Sequence, residues 1–124
     1  MTASKVALLI EDDADQRALY SLILRRRGWK TLEAATGEQA QALLQSVYPD
    51  AIVLDVMLPD RDGIKLCHDL RANPNLPIIP ILVLTALNDP DTRIRALAAG
   101  ADAFEVKPIK PATLVDHLDQ LTTF

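Results

Sequence analysis

The chain has little of what marks a secreted, membrane-spanning or nucleic-acid-binding protein. Cys67 is its only cysteine, which excludes an internal disulfide and suits a reducing cytoplasm. No apolar run approaches the length that crosses a bilayer. The amino-terminal stretch MTASKVALLIEDD carries a single lysine, and three acids break its apolar run, so it is not a signal peptide. Positive charge is in deficit. Thirteen Lys and Arg against 17 Asp and Glu give a net charge of -4, which argues against a nucleic-acid surface and gives no support to a membrane-surface role. A glycine-rich G-x-x-x-x-G-K-[ST] loop is missing, which speaks against nucleotide hydrolysis. Cys67 and His68 have no second Cys or His at metal-ligand spacing, so a zinc site is not indicated. With no repeat, linker or low-complexity stretch in 124 residues, the chain reads as one domain over residues 1–124.

What is present is a regular alternation of two patterns. Short apolar runs that end abruptly in polar or turn residues read as buried parallel strands: Lys5–Ile10, Ala51–Leu54, Ile81–Leu84 and Ala101–Val106. Lys30–Ala34 is more polar and suits a sheet edge. Between them lie stretches with helical spacing. The first starts at Ala14 with Leu19, Leu22 and Ile23, and Gly28 stops it. The second carries Ala40, Leu43, Leu44 and Val47 behind a Thr36/Gln39 capping box. The third carries Leu66, Cys67 and Leu70, the fourth turns Ile94, Leu97 and Ala98 inward, and the last carries Leu114, Leu118 and Leu121. Arg25-Arg26-Arg27 reads as a solvated helix end, and His117 as a surface residue. Asn73–Pro80 holds three prolines and reads as an extended loop. Five β-α units with short connections predict an α/β fold whose parallel sheet is covered on both faces.

In such a sheet every strand's carboxyl end faces the same side, where open α/β folds place their ligands. The residues found there are Glu11-Asp12-Asp13, Asp55, Thr85 and Lys107. Three successive acids repel one another unless a cation or a basic side chain lies among them, and one of them, Asp13, can cap the following helix. Carboxylate oxygens are what Mg²⁺ takes as ligands. An aspartate can attack phosphorus to form an aspartyl-phosphate, with hydroxyl and ammonium groups holding the transferred oxygens.

These residues, in this order, resemble the receiver domain of bacterial two-component response regulators. The motifs are Glu11-Asp12, the Asp55 strand followed by LPDRDG, VLTA ending in Thr85-Ala86, and GADAFEVKP ending in Lys107-Pro108. The resemblance implies a flavodoxin-like (βα)5 sheet of strand order 2-1-3-4-5. It also implies a phosphoacceptor at Asp55, served by a sensor histidine kinase or a histidine phosphotransfer protein. Mg²⁺ would be held by Asp12, Asp55, Glu11 through water, and the backbone carbonyl of Met57. Thr85 and Lys107 would hold the phosphoryl oxygens, Thr85 and Phe104 would switch together, and the Lys107-Pro108 bond would be cis. The protein would then signal from its distal face to a downstream protein or to an output domain outside this sequence, without direct contact with nucleic acid or membrane. The last helix, PATLVDHLDQL, has Asp116 and Asp119 but no Lys or Arg, so the cross-subunit ion pairs of the family's DNA-binding branch are not expected.

Met57 and Leu87 lie two residues beyond Asp55 and Thr85, where the family places side chains beside the phosphoryl group. Both are apolar and give no help to an attacking water, so a long-lived aspartyl-phosphate is expected. A second reading is a receiver-like interaction module that works without phosphorylation; such relatives usually lose one of the acids or the lysine, and all are kept here. A third is a Mg²⁺-dependent phosphatase, which normally has a second acid two residues after its nucleophile, where this chain has Met57. Beyond self-catalysed transfer and hydrolysis at Asp55, no enzyme activity is expected.

Overall fold

The computed structural model describes residues 4–123. Strands and helices alternate as β1 (Val6–Ile10), α1 (Ala14–Arg25), β2 (Lys30–Ala34), α2 (Gly37–Leu43), β3 (Ala51–Leu54), α3 (Gly63–Ala72), β4 (Ile81–Thr85), α4 (Pro90–Ala98), β5 (Ala103–Val106) and α5 (Pro111–Leu121). All pairings between the strands are parallel, in the order β2-β1-β3-β4-β5. This is the flavodoxin-like arrangement that the motifs implied. Among the described residues, no helix is long and apolar enough to cross a membrane.

Strand side chains alternate between faces, and the sheet uses both. Leu8, Ile10, Ile52, Leu54, Ile81 and Val83 pack in one apolar cluster with residues of α2, α3 and α4. Ala7, Leu9, Ala51, Val53, Leu82 and Leu84 pack in the other with Tyr20 and Leu24 of α1 and Leu114, Val115 and Leu118 of α5. Burial on both faces explains the unbroken apolar runs of β3 and β4, and each fully buried leucine adds about 1.5–3 kcal/mol. Side chains cap four helix starts: Asp13 accepts from the Gln16 amide, Thr36 from Gln39, Asp62 from Ile64, and Asp89 from Thr92. Gly28 (φ 91°) and Gly100 (φ 109°) close the turns after α1 and α4 in the left-handed region that glycine accepts. At the strands' amino-terminal edge, the Trp29 indole donates to Asp119 Oδ1 of α5 at 3.1 Å, and Lys5 donates to the Thr122 carbonyl and hydroxyl at 3.2 and 2.9 Å.

Three helix faces differ from the sequence expectation. Ile94, Leu97 and Ala98 of α4 are exposed, and the inward residues are Thr92 and Ala96. Small side chains suffice there because Phe104 of β5 supplies bulk in the same apolar cluster, and the Thr92 hydroxyl donates to Asp89 Oδ1. In α1 the buried face is Tyr20, Ser21 and Leu24, while Leu19 and Leu22 are exposed. The stripe is turned because Ser21 bonds Thr31 of β2 at 2.6 Å, a polar contact that hydropathy does not register. Val47 lies beyond α2 and is exposed; the Gln45 and Ser46 amides bond carbonyls three residues back, so the chain tightens and leaves the helix. Cys67 is buried and His68 exposed, as expected, and Lys107-Pro108 is cis.

Candidate functional site

The sheet's carboxyl edge gathers its charged residues from strands far apart in sequence. Glu11 follows β1 directly, and its amide donates to the Ala34 carbonyl at 3.0 Å. Asp55 follows β3, with its amide on the Ile10 carbonyl at 3.0 Å. The Lys107 amide donates to the Thr85 carbonyl at 2.9 Å, joining the ends of β4 and β5. Parallel pairing with these registers delivers the side chains to one cleft.

At its centre is the Lys107 ammonium. It donates to Glu11 Oε1, to Asp55 Oδ2 at 2.8 Å and to Gln16 Oε1 at 2.6 Å. The other Asp55 oxygen, Oδ1, accepts from the Met57 amide at 3.0 Å. Asp55, 6% exposed, is thus fixed by a cation on one oxygen and a backbone donor on the other. The Tyr20 ring lies 5.9 Å from the ammonium and helps wall it from solvent.

The turn after Asp55 is closely fitted. A Cβ on Gly63 would lie 2.3 Å from the Asp55 carbonyl oxygen, so α3 can start this near the site only with glycine there. Asp60 accepts from the Gly37 and Glu38 amides at the start of α2, at 2.9 and 3.0 Å. These backbone bonds hold its carboxyl below the ordinary range.

Burial pushes the Glu11 carboxyl up to about 7, against the opposing pull of its bond to Lys107. Burial alone would lower the Lys107 pKa, but hydrogen bonds to Asp55 and Glu11 outweigh it and raise the value. The two directions agree on a charged Lys107 in a cleft that is dry around Glu11. Glu11 Oε2 is buried with no hydrogen-bond partner. A bare carboxylate oxygen beside Asp55 is a hard donor in the place where an oxygen-liganded divalent cation would be neutralising. Among the described residues no three His, Cys, Asp or Glu side chains converge as a ready ion site. Lys107 lies between Glu11 and Asp55, and Asp12 is exposed.

Of the residues singled out from sequence, Glu11, Asp55 and Lys107 meet directly. Thr85 is fully buried at the end of β4, and its hydroxyl accepts from the Leu87 amide at 3.4 Å. Met57 turns its amide toward Asp55 and its side chain to solvent, 54% exposed. Phe104 is buried on the α4 side, with the Arg93 guanidinium 5.9 Å from its ring.

Residues 7–119 match the family model described as the response regulator receiver domain. The chain belongs to that family. Receiver domains are the phosphoacceptor modules of two-component phosphorelays. This receiver domain is 45% identical over 107 residues to the transcriptional regulatory protein AfsQ1 of Streptomyces coelicolor, covering 86% of the chain and 46% of that protein. It spans about half the length of several curated relatives that it matches. Among solved structures, it is similar to the signal receiver domain of a signal transduction histidine kinase from Syntrophus aciditrophicus, with a TM-score of 0.89, 36% identity, and coverage of 96% of this chain and 90% of that one. The chemotaxis protein CheY4 of Vibrio cholerae superposes with a TM-score of 0.89 at 30% identity, covering 96% and 99% of the two chains.

Gln16 and Tyr20 escaped the sequence reading of this receiver domain. A glutamine in the first turn of a helix looks like a solvated residue, and Tyr20 lies off the apolar stripe drawn through Leu19, Leu22 and Ile23. The usable signal was their spacing: residues 16 and 20, four apart, share a helix face.

Proposed function

We propose that Asp55 accepts a phosphoryl group from a phosphohistidine on a sensor histidine kinase or a histidine phosphotransfer protein. The observation that carries this is the Asp55 carboxylate at the sheet's carboxyl edge, with the Lys107 ammonium on one oxygen. An Asp55 oxygen forms the new bond to phosphorus as the phosphorus–nitrogen bond breaks. The imidazole nitrogen keeps the electron pair, and because the ring's other nitrogen carries a proton in the phosphohistidine, the donor histidine leaves as a neutral ring.

Mg²⁺, held by Asp12, Asp55 and the Met57 carbonyl, and through water by the unpartnered oxygen of Glu11, would supply charge neutralisation between the carboxylates and the phosphoryl oxygens. Lys107 supplies a second positive charge and follows the phosphoryl group as Asp55 gives up its own negative charge. Thr85 turns its hydroxyl to a phosphoryl oxygen, and the space it leaves admits a movement of Phe104. The moved face signals to a downstream protein or to an output domain of a longer protein. Chemistry ends with transfer and hydrolysis at Asp55, in the cytoplasm, without direct contact with nucleic acid or membrane.

Incubation with acetyl phosphate and Mg²⁺, read by intact mass, is expected to give one phosphoryl adduct. It should vanish in Asp55→Asn and on chelation of the metal. A wild-type chain that takes up none would overturn this reading in favour of a receiver-like module that works by interaction alone.

A further inference from the structure

We propose that Gln16 is a positioning residue for Lys107, holding its ammonium in place while the other two acceptors change; this rests on the phosphoacceptor reading of Asp55. A lysine ammonium has three N–H donors and no acceptor. Here its partners are Glu11 Oε1, Asp55 Oδ2 at 2.8 Å and Gln16 Oε1 at 2.6 Å. Every donor is in use, so Lys107 can bond a phosphoryl oxygen only by releasing one of these oxygens.

The three acceptors differ in what the reaction does to them. Asp55 loses its negative charge when it becomes a mixed anhydride with phosphate. Glu11 carries the buried, unpartnered Oε2 and is drawn toward any cation bound beside it. Gln16 is neutral, takes no part in bond making and has no charge to lose. It alone can keep the same bond before and after transfer. A carboxylate at this position would add a third negative charge to the cleft and hold the ammonium back from the phosphoryl group.

The turn that carries Gln16 is fixed on both sides. The Gln16 amide donates to Asp13 Oδ1 at 3.0 Å. Arg17, next in the chain, donates to the Glu11 carbonyl at 2.6 Å and to Glu33 Oε1 at 3.1 Å, tying this turn of α1 to the ends of β1 and β2. One turn further on, the buried Tyr20 closes the other side of the seat, 5.9 Å from the ammonium. A side chain on so firm a base can define where a flexible lysine ends.

The test uses Gln16→Met, which keeps length and removes the acceptor, and Gln16→Glu, which restores an oxygen at the same reach. In ¹⁵N-labelled full-length protein at low temperature, a lysine ammonium held by three acceptors exchanges slowly with water and gives its own NMR resonance, assigned by its loss in Lys107→Met. That resonance is expected in the wild type and in Gln16→Glu, and is expected to disappear in Gln16→Met while backbone amide signals away from the site stay in place. At saturating Mg²⁺, Gln16→Met should lower the saturating rate of phosphorylation by acetyl phosphate about tenfold, the worth of one hydrogen bond to a charged group. Its half-saturating donor concentration should hardly move. A Gln16→Met protein that keeps the ammonium resonance, or that keeps the wild-type rate, overturns the proposal. The resonance needs no phosphorylation, so a wild-type chain without an adduct counts against the phosphoacceptor reading alone.

Discussion

Helices α3 and α4 follow one another along the chain and are similar in length, at 10 and 9 residues, yet they are attached to the sheet in different ways. Helix α3 buries Gly63, Ile64, Leu66, Cys67 and Leu70, and its first residue touches the backbone of Asp55. Helix α4 buries only Thr92 and Ala96, and Ile94 and Leu97 face solvent at 65% and 40% exposure. An ion pair between Arg95 and Asp62 at 3.3 Å joins the two, and half-exposed pairs of this kind contribute little. The difference teaches that one neighbour of the site is built into the core, while the other leans on it and keeps most of its apolar surface outside.

Substitutions can break this contrast or make it sharper. The largest effect is expected at Leu66, which is fully buried: Leu66→Ala should lower stability by about 2–5 kcal/mol in urea unfolding. A loss below about 1 kcal/mol would mean that α3 is no better anchored than its neighbour. Next comes Gly63→Ala, whose new methyl group must displace the Asp55 backbone. A loss of about 1–3 kcal/mol is expected, together with slower phosphorylation, because the same contact sets where Asp55 lies. Unchanged phosphorylation in that variant would separate the start of α3 from the chemistry. Ile94→Ala and Leu97→Ala should each change stability by no more than about 0.5 kcal/mol. Either one costing as much as Leu66→Ala would erase the contrast.

The same two helices show what was legible in the sequence. Leu66, Cys67 and Leu70 form the one apolar stripe that α3 offers, and it is the stripe that is buried. Helix α4 offers a stripe as well, Ile94–Leu97–Ala98, but the sheet takes the opposite side, where Thr92 and Ala96 are small enough to lie close. Hydropathy ranks side chains by size and polarity; it does not register that a neighbour such as Phe104 has already filled the space. Strand order was legible only through the family that the motifs resemble, whereas the cluster of Glu11, Asp55 and Lys107 was legible because parallel topology sends every strand end to one edge. Gln16 was not, since its role comes from a lysine 91 residues away that only the folded chain brings within reach.

Trp29 is the protein's single tryptophan, and its indole is bonded to Asp119 of α5 at the edge where the strands begin. Asp55 is at the opposite edge, about 15 Å away along strands of four or five residues. Intrinsic tryptophan emission is therefore insensitive to direct quenching by the carboxylates, the lysine or a bound cation. It reads the seating of α5 instead. A change in emission on adding a phosphodonor would be a signal that had already crossed the domain.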